Sequence, residues 1–139
     1  MSASVSIRRV GPGDEGVVRR LATREPQTAL LADERCVLLV AFEGDEPIGF
    51  VLAYELPRRH GDPAVLFVYE VDVAESHRRR RIATALMEEL SRIAATRGIG
   101  SGFVLTNESN GPAMALYASL GGTRPADDDV LWDFRYEAS

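Results

Sequence analysis

Apolar and polar positions alternate in one part of the chain and merge into continuous apolar runs in others. The stretch SVSIRRV alternates, which is typical of a strand with one buried face. The stretch CVLLVAFEGDEPIGFVLAYEL places two apolar runs around the turn residues EGDEP, and this pattern predicts a β-hairpin. The stretch AVLFVYEVDVA is apolar almost throughout, so we predict a long central strand that is covered on both faces.

Helical periodicity marks the segments between these strands. A helix is predicted over residues 81–97, because the apolar positions there recur on one face and glycines follow it. Shorter helices are predicted in GPGDEGVVRRLAT, PQTALLAD and GPAMALYASLGG. The apolar face of the long helix consists of Ile82, Leu86, Leu90, Ile93 and Ala94.

Two further short strands complete the predicted order of elements. We assign them to SGFVLT and to the closing stretch VLWDFRYE. The order is then β-α-α-β-β-β-α-β-α-β, an α/β or mixed α+β arrangement of one sheet with helices packed on it. A chain of 139 residues suits one hydrophobic core, so we expect a single domain over residues 1–139.

Composition and charge narrow the classes of function. The net charge of −5 argues against nucleic acid, which requires a basic field over a whole face. No apolar run is long enough to span a bilayer, and the first residues lack the apolar segment of a secretory signal. The single cysteine, Cys36, lies in an apolar run, so we expect an inert thiol and a reducing, cytoplasmic location. No metal-ligand spacing is present.

Four consecutive arginines stand just before the long helix, in the stretch SHRRRRIATALMEEL. A helix N-terminus exposes unpaired backbone N–H groups and the positive end of a dipole, and phosphate groups bind there readily. Arginine side chains beside it add charged donors. The position alone leaves two interpretations open, a cradle for the pyrophosphate of a cofactor and a solvated basic turn.

Two motifs in this part of the chain resemble a known superfamily. HRRRRIATAL resembles the Arg/Gln-x-x-Gly-x-Gly/Ala signature of the GCN5-related N-acetyltransferases (GNAT), and NGPAMALYASLGG resembles their later Ala-x-x-Leu-Tyr-x-x-Leu-Gly helix. The resemblance implies the GNAT fold, in which helices flank a mostly antiparallel sheet whose central strands splay apart. It also implies acetyl-CoA as the acyl donor.

Three segments are similar to a narrower class, the aminoglycoside 3-N-acetyltransferases of type I. These are AYELPR, VYEVDVAESHRRRRIATAL and PAMALYASLG. The similarity implies acetyl transfer to the 3-amino group of aminoglycoside antibiotics, hence antibiotic resistance, and a homodimer for which VLWDFRY is a candidate interface. Two alternatives stay open. One is acetylation of another amine, such as a polyamine, a small metabolite or a protein N-terminus, and the other is a non-catalytic acyl-CoA-binding module.

The sequence departs from the signature at one position. The central glycine of the signature is Arg81 here, whereas Arg78 and Ala83 match its first and last positions. Glycine permits positive φ values and close approach of the backbone to pyrophosphate. Arg81 fits without strain if the loop is right-handed, and costs on the order of 1 kcal/mol if φ must be positive.

Two carboxylates lie near the end of the predicted central strand. Glu70 and Asp72 are two residues apart, so they face the same side. They either pair with neighbouring arginines or form a base and a cation anchor, and semi-burial of such a pair raises its pKa. The resemblance implies Glu70 as general base and Asp72 as ammonium contact or secondary base. It also implies Tyr117 as general acid, although helical spacing alone suggests core packing for this tyrosine.

The resemblance also implies which residues bind the two substrates. An N–H near Val71 is expected to stabilise the carbonyl oxygen, and pantetheine is expected along the same strand edge. The DDD run at 127–129 is most often a solvated loop, but it also suits a polycation. The acidic candidates for a cationic acceptor are Glu70, Asp72, Glu108, Asp127, Asp128 and Asp129. The candidates for coenzyme A are Val71, Asp72, Val73, Arg78, Arg79, Arg80, Arg81, Ile82, Ala83, Thr84, Asn110, Ala113 and Tyr117.

Overall fold

The computed structural model describes residues 4–137. The chain forms two compact units, unit 1 (Met1–Thr106) and unit 2 (Asn107–Ser139). Among residues 4–137, unit 1 contributes five strands and two α-helices, and unit 2 contributes one α-helix. The elements in chain order are β1 (Val5–Val10), α1 (Glu15–Leu21), a 3-10 helix (Ala29–Ala32), β2 (Cys36–Glu43), β3 (Glu46–Leu56), β4 (Val65–Val73), a 3-10 turn (Glu75–His77), α2 (Ile82–Thr96), β5 (Gly102–Val104) and α3 (Gly111–Ser119).

The strands of unit 1 form one sheet in the order β1-β2-β3-β4-β5. The first four strands pair antiparallel, and β5 pairs parallel with β4. Helix α2 packs on one face through Ile82, Leu86 and Leu90, whereas Val18 of α1 and Leu31 of the 3-10 helix pack on the other. The sheet is therefore mixed and covered on both faces, which confirms the fold class predicted from the sequence.

The continuous apolar run of β2 follows from its position between these two layers. Val37 and Leu39 belong to the core under α2, and Leu38 and Val40 belong to the core on the opposite face. Successive side chains of a strand point to opposite faces of the sheet. When helices cover both faces, every position of the strand is buried, so all of them are apolar. The predicted hairpin of β2 and β3 is confirmed by their antiparallel register.

Strand β4 carries a β-bulge at Tyr69. Val68 lies opposite Ala53 and Glu70 lies opposite Leu52, so one extra residue of β4 stands between the two pairs. Such an insertion reverses the alternation of the residues that follow it. Val73 thus joins the core under α2. The prediction that this strand is covered on both faces is wrong for its second half, where Tyr69, Glu70 and Asp72 are exposed.

The parallel pairing of β4 with β5 is short. It involves only residues 66–68 of β4 and residues 102–104 of β5. At its start the chains approach closely, since a Cβ atom on Gly102 would lie 2.8 Å from the carbonyl oxygen of Leu66. Beyond Val68 the edge of β4 is not paired with β5. The two strands therefore separate, as the splayed strands of the GNAT fold imply.

A buried ion pair links strand β3 to the end of α2. Glu55, at the end of β3, is 7% exposed and is the one buried charged residue among residues 4–137. Arg97, the C-cap residue of α2, donates from Nε and Nη2 to its two carboxylate oxygens. These hydrogen bonds hold the pKa of the Arg97 guanidinium above its ordinary value. Both charges are thus compensated by one bidentate contact.

Residues 107–137 of unit 2 contain a single regular element, α3. The predicted closing strand is wrong, because residues 130–136 form no strand. A strand needs a partner backbone for its N–H and C=O groups, and the described residues of unit 2 contain no other strand. The apolar side chains of this stretch are 69–87% exposed. Among the helices of residues 4–137, none is both long and apolar enough to cross a membrane.

Candidate active site

The two carboxylates of β4 share one face of the sheet, as their spacing predicts. Glu70 lies opposite Leu52 and Asp72 lies opposite Phe50, and both partners belong to the apolar layer beside α1. The expected semi-burial is wrong, since both residues are exposed. The bulge keeps Val71 and Val73 on the α2 side of the sheet and turns both carboxylates to the other face, where they are exposed.

Only one of the two carboxylates forms an ion pair. Oδ1 of Asp72 accepts from its neighbouring Val73 N–H at 3.0 Å and lies 3.6 Å from Nη2 of Arg78. No ion pair to Glu70 occurs within residues 4–137. The prediction of pairing with a neighbouring arginine is therefore confirmed for Asp72. The carboxylate of Glu70 forms no ion pair within residues 4–137 and is available to a substrate.

The backbone of β4 offers hydrogen-bonding groups beside Glu70. Ala74 N–H donates to Ile48 O across the pair of strands. Bonded and non-bonded pairs alternate in an antiparallel ladder, so the backbone groups of Glu70 and Asp72 point to β3. Those of Val71 and Val73 point to the opposite side, where β5 has already ended its pairing. Within residues 4–137 the N–H and C=O of Val71 thus have no strand partner, on the edge that the resemblance assigned to pantetheine.

The arginine loop has a left-handed backbone at two positions. Arg79 has φ of 65° and Arg81 has φ of 60°, and they are the only non-glycine residues with positive φ among those described. The right-handed alternative for Arg81 is therefore wrong. Arg81 adopts the conformation for which the family signature supplies glycine, and each such arginine costs on the order of 1 kcal/mol.

This loop ends in a set of free amide groups. Arg81 is the N-cap residue of α2, and its carbonyl accepts from Ala85 N–H at 3.0 Å. No side-chain cap is formed, and the N–H groups of Ile82, Ala83 and Thr84 have no acceptor within residues 4–137. Free amides at the positive end of a 15-residue helix form an anion site. Their chemistry fits a pyrophosphate.

The arginine side chains divide into two pairs. Arg78 and Arg80 hold the loop in place. Nε of Arg78 donates to Val73 O at 3.0 Å, and Nη1 of Arg80 lies 3.8 Å from Glu43 Oε2. Arg79 and Arg81 form no ion pair within residues 4–137. The two left-handed arginines are thus the ones available to an anion.

Glu43 is a supporting residue that the sequence did not reveal. It ends β2, and its Oε1 lies 3.2 Å from Nε2 of His77, whose side chain is 13% exposed. Nδ1 of His77 is 2.7 Å from Ser76 Oγ. Glu43 thus ties the turn before α2 to the β2–β3 hairpin. The only signal for it was a carboxylate at the end of a strand, which does not identify a partner 34 residues away.

The remaining predicted residues lie in unit 2. Asn110 caps α3 by accepting from Ala113 N–H at 3.2 Å. Burial raises the pKa of Tyr117, on α3, above its ordinary value. Glu108 forms an ion pair with Arg124, in which Oε1 of Glu108 lies 2.7 Å from Nη1 of Arg124. The three aspartates at 127–129 are exposed in a loop and form no ion pair within residues 4–137.

Among residues 4–137, no group of His, Cys, Asp or Glu side chains is arranged to hold a metal ion.

We expect Arg81→Gly to stabilise the protein by about 1 kcal/mol, because glycine adopts positive φ without strain. Chemical denaturation of both proteins measures this difference. Arg81→Ala is the matched control, since it removes the same charge but keeps a Cβ atom at the positive φ. A gain in the control equal to that of Arg81→Gly would attribute the effect to charge and contradict the backbone explanation.

The chain resembles curated and solved acetyltransferases. It is 30% identical to the L-2,4-diaminobutyric acid acetyltransferase of Shouchella clausii (strain KSM-K16) over 98 residues, which is 70% of this chain and 52% of that protein. The chain thus spans about half the length of this curated relative. An aminoglycoside acetyltransferase from an uncultured soil metagenomic sample is 28% identical, with a TM-score of 0.76 over 98% of this chain and 99% of the other.

A third acetyltransferase is similar to this chain in fold. The structure of AAC(6')-Iy in complex with the bisubstrate analogue CoA-S-monomethyl-acetylneamine has a TM-score of 0.76 at 18% identity, over 97% of this chain and 99% of the other.

Residues 11–121 match the Acetyltransferase (GNAT) family. They include the whole sheet from β2 onward, the arginine loop and α3. The chain therefore belongs to the GNAT acetyltransferase family.

Proposed function

We propose that this chain is an N-acetyltransferase that transfers acetyl from acetyl-CoA to a small cationic amine, with aminoglycosides as the leading class and their 3-amino group as the acceptor position. Acetyltransferases of the GNAT family use acetyl-CoA. The observation that carries the proposal is on β4. One strand presents the free carboxylate of Glu70 next to the free backbone edge of Val71, and it leads directly into the loop of α2.

Coenzyme A is proposed to bind along this strand and loop. Its pyrophosphate fits the free N–H groups at the start of α2, with the guanidinium groups of Arg79 and Arg81 as charged donors. Its pantetheine arm is proposed to pair with the outward backbone C=O of Val71, as an added strand would. Pairing with Val73 would require its N–H and C=O to leave Asp72 and Arg78, which they contact here. Arg78 and Arg80 act by holding the loop. Asn110 and Ala113 are proposed contacts on the second unit.

The acyl donor supplies an activated acetyl group, and the residues of the chain handle the protons and the charge. Glu70 takes a proton from the acceptor ammonium, which has no lone pair until it is neutral. The N–H of Val71 is proposed to stabilise the carbonyl oxygen as negative charge develops there. Tyr117 is proposed to protonate the leaving thiolate, since a tyrosine phenol carries its proton at neutral pH. Burial raises its pKa further, so the proton is held until a basic thiolate develops. Asp72 contacts a second ammonium group.

The acceptor class follows from charge and from the relatives. Exposed carboxylates on β4 favour a polycationic small molecule, and the soil acetyltransferase of similar fold is an aminoglycoside enzyme. The similarity to type I enzymes points to the 3-amino group. A second candidate is L-2,4-diaminobutyrate, because the curated relative that matches 70% of the chain acetylates it by name. That acceptor carries a carboxylate of its own, which Glu70 and Asp72 would repel.

The test is an acceptor panel in a thiol-release assay with acetyl-CoA. It contains gentamicin, L-2,4-diaminobutyrate, spermidine and a short peptide. We expect the highest kcat/KM with gentamicin, and NMR of its product to show acetylation at the 3-amino group. Release with diaminobutyrate alone would establish the second candidate. Binding of coenzyme A without thiol release from any amine would contradict enzymatic function and support a binding module.

We expect Tyr117→Phe to lower kcat by about 10²-fold, the lower end of what a lost general acid or base costs. The ring and its packing stay, and only the phenolic proton is removed. Steady-state kinetics with the best acceptor of the panel measures this, and Tyr136→Phe is the control at an exposed tyrosine. Unchanged kcat in Tyr117→Phe would limit this tyrosine to packing.

A further inference from the structure

Four aromatic rings form a continuous cluster across three strands of unit 1. We call Tyr54 of β3, Phe67 and Tyr69 of β4, and Phe103 of β5 the aromatic ladder. The rings of Phe67 and Phe103 stack with centroids 4.7 Å apart, and Tyr69 meets Phe67 edge-on at 5.7 Å. Tyr54 meets Tyr69 edge-on at 5.8 Å. These are the preferred geometries of aromatic pairs, so each ring fixes the orientation of the next.

The ladder lies on the same face as the proposed base. Tyr54 is opposite Phe67, and Glu70 is opposite Leu52, which belongs with Tyr54 to the layer beside α1. Simple alternation would send Tyr69 and Glu70 to opposite faces. The bulge instead keeps Tyr69 against Tyr54 and Phe67, while the next residue, Glu70, continues on that face. The chain thus places an aromatic ring and a carboxylate side by side.

The ladder is not a core cluster. Tyr69 is 57% exposed and Phe103 is 43% exposed, and Leu105 beyond it is 58% exposed. A contiguous exposed apolar patch indicates a binding surface. Acidic side chains lie on its β3 and β4 side, and Arg58 donates to Ser101 Oγ just before β5. The pKa of Tyr54 is raised by burial, with further contributions from the thiol of Cys36, from Tyr69 and from the nearby carboxylates of Glu70 and Asp33.

These features select one kind of occupant. An exposed aromatic ring offers a flat, rigid apolar face, against which the C–H face of a saturated ring can pack over its whole area. Carboxylates at the same edge add attraction for ammonium groups. An acyclic amine has charge but no ring face to cover such a surface. A molecule that combines ring faces with several ammonium groups satisfies both parts.

We propose that the aromatic ladder is an acceptor subsite that stacks a ring of the substrate and thereby selects ring-bearing polyamines, such as aminocyclitols and aminosugars, over acyclic amines. The proposal rests on the proposed function, because it places the acceptor next to Glu70. It assigns the specificity to Tyr69, the exposed ring nearest that carboxylate. The subsite acts on binding of the acceptor and not on coenzyme A.

The test compares two Tyr69 variants by calorimetry with the whole chain. Gentamicin is the ring-bearing probe and spermidine is an acyclic polycation. We expect Tyr69→Leu, which keeps apolar area but removes the flat ring face, to weaken gentamicin binding about tenfold. Tyr69→Phe is expected to bind gentamicin within about twofold of the original protein, since the face of the ring remains. Spermidine and coenzyme A are expected to bind all three proteins alike.

Several outcomes would overturn the subsite. They are absence of gentamicin binding to the original protein, equal affinity in Tyr69→Leu, and equal losses for gentamicin and spermidine. A dimer that dissociates in Tyr69→Leu would assign the ladder to a second copy of the chain. Failure of the proposed function is a separate result, because gentamicin would then bind through Tyr69 but release no thiol from acetyl-CoA.

Discussion

Glu70→Gln is expected to lower kcat by about 10²–10⁴-fold, the effect of losing a general base. Glutamine keeps the size and polarity of the side chain but accepts no proton at neutral pH. The position is well suited to such a test, because Glu70 forms no ion pair within residues 4–137 and its backbone is anchored to β3 opposite Leu52. The loss therefore reports proton transfer and not a broken structural contact.

Asp72→Asn is the matched control for that experiment. It makes the same chemical change two residues along the same face of the strand. We expect a smaller effect, about tenfold and mainly on KM for the acceptor, because Asp72 is an ammonium contact in the proposed site. Calorimetry with coenzyme A should give equal affinities for all three proteins. Near-normal turnover of Glu70→Gln would remove this carboxylate from the mechanism.

Arg97→Met is expected to lower the free energy of unfolding by about 2–3 kcal/mol. Methionine retains much of the apolar stem but leaves the Glu55 carboxylate, which is 7% exposed, without its bidentate partner. A buried charge without a partner costs more than the pair ever contributed. The expected loss lies below the roughly 3–5 kcal/mol of a fully buried pair, because the Arg97 side chain is itself 42% exposed.

Urea denaturation measures this change, and Arg92→Met on the same helix is the control. Arg92 pairs with Glu89 at 2.8 Å, but their side chains are 67% and 35% exposed. A surface pair of this type contributes about 0.5 kcal/mol or less. Equal losses of unfolding free energy in the two variants would show that the Glu55–Arg97 pair contributes no more than a surface ion pair.

The sequence predicted the elements that have strong periodicity. The apolar face of α2, the β2–β3 hairpin and the shared face of Glu70 and Asp72 are all confirmed by burial and register. These features depend on local patterns, and a helix of 15 residues or a hairpin with a clear turn signal provides enough of them. The family also followed from two local motifs. The roles of the individual site residues stay proposals.

Features that depend on contacts between distant residues were not predictable in this way. The bulge at Tyr69 is visible only from the pairing of β4 with β3. The positive φ of Arg79 and Arg81 contradicts the ordinary preference of arginine, so no propensity indicates it. Residues 130–136 have the composition of a strand, but strand formation depends on a partner backbone and not on composition alone.

The bulge at Tyr69 decides which face of the sheet the two carboxylates occupy. Val68 and Glu70 lie opposite the adjacent residues Ala53 and Leu52, so regular alternation of all nine residues of β4 would turn Glu70 and Asp72 toward the hydrophobic layer under α2. Deleting Tyr69 would close the bulge and leave both carboxylates on their present face, whereas deleting Val71 would turn Asp72 into that layer. Related chains that share this chemistry should therefore tolerate loss of the bulge residue better than a deletion between the two carboxylates.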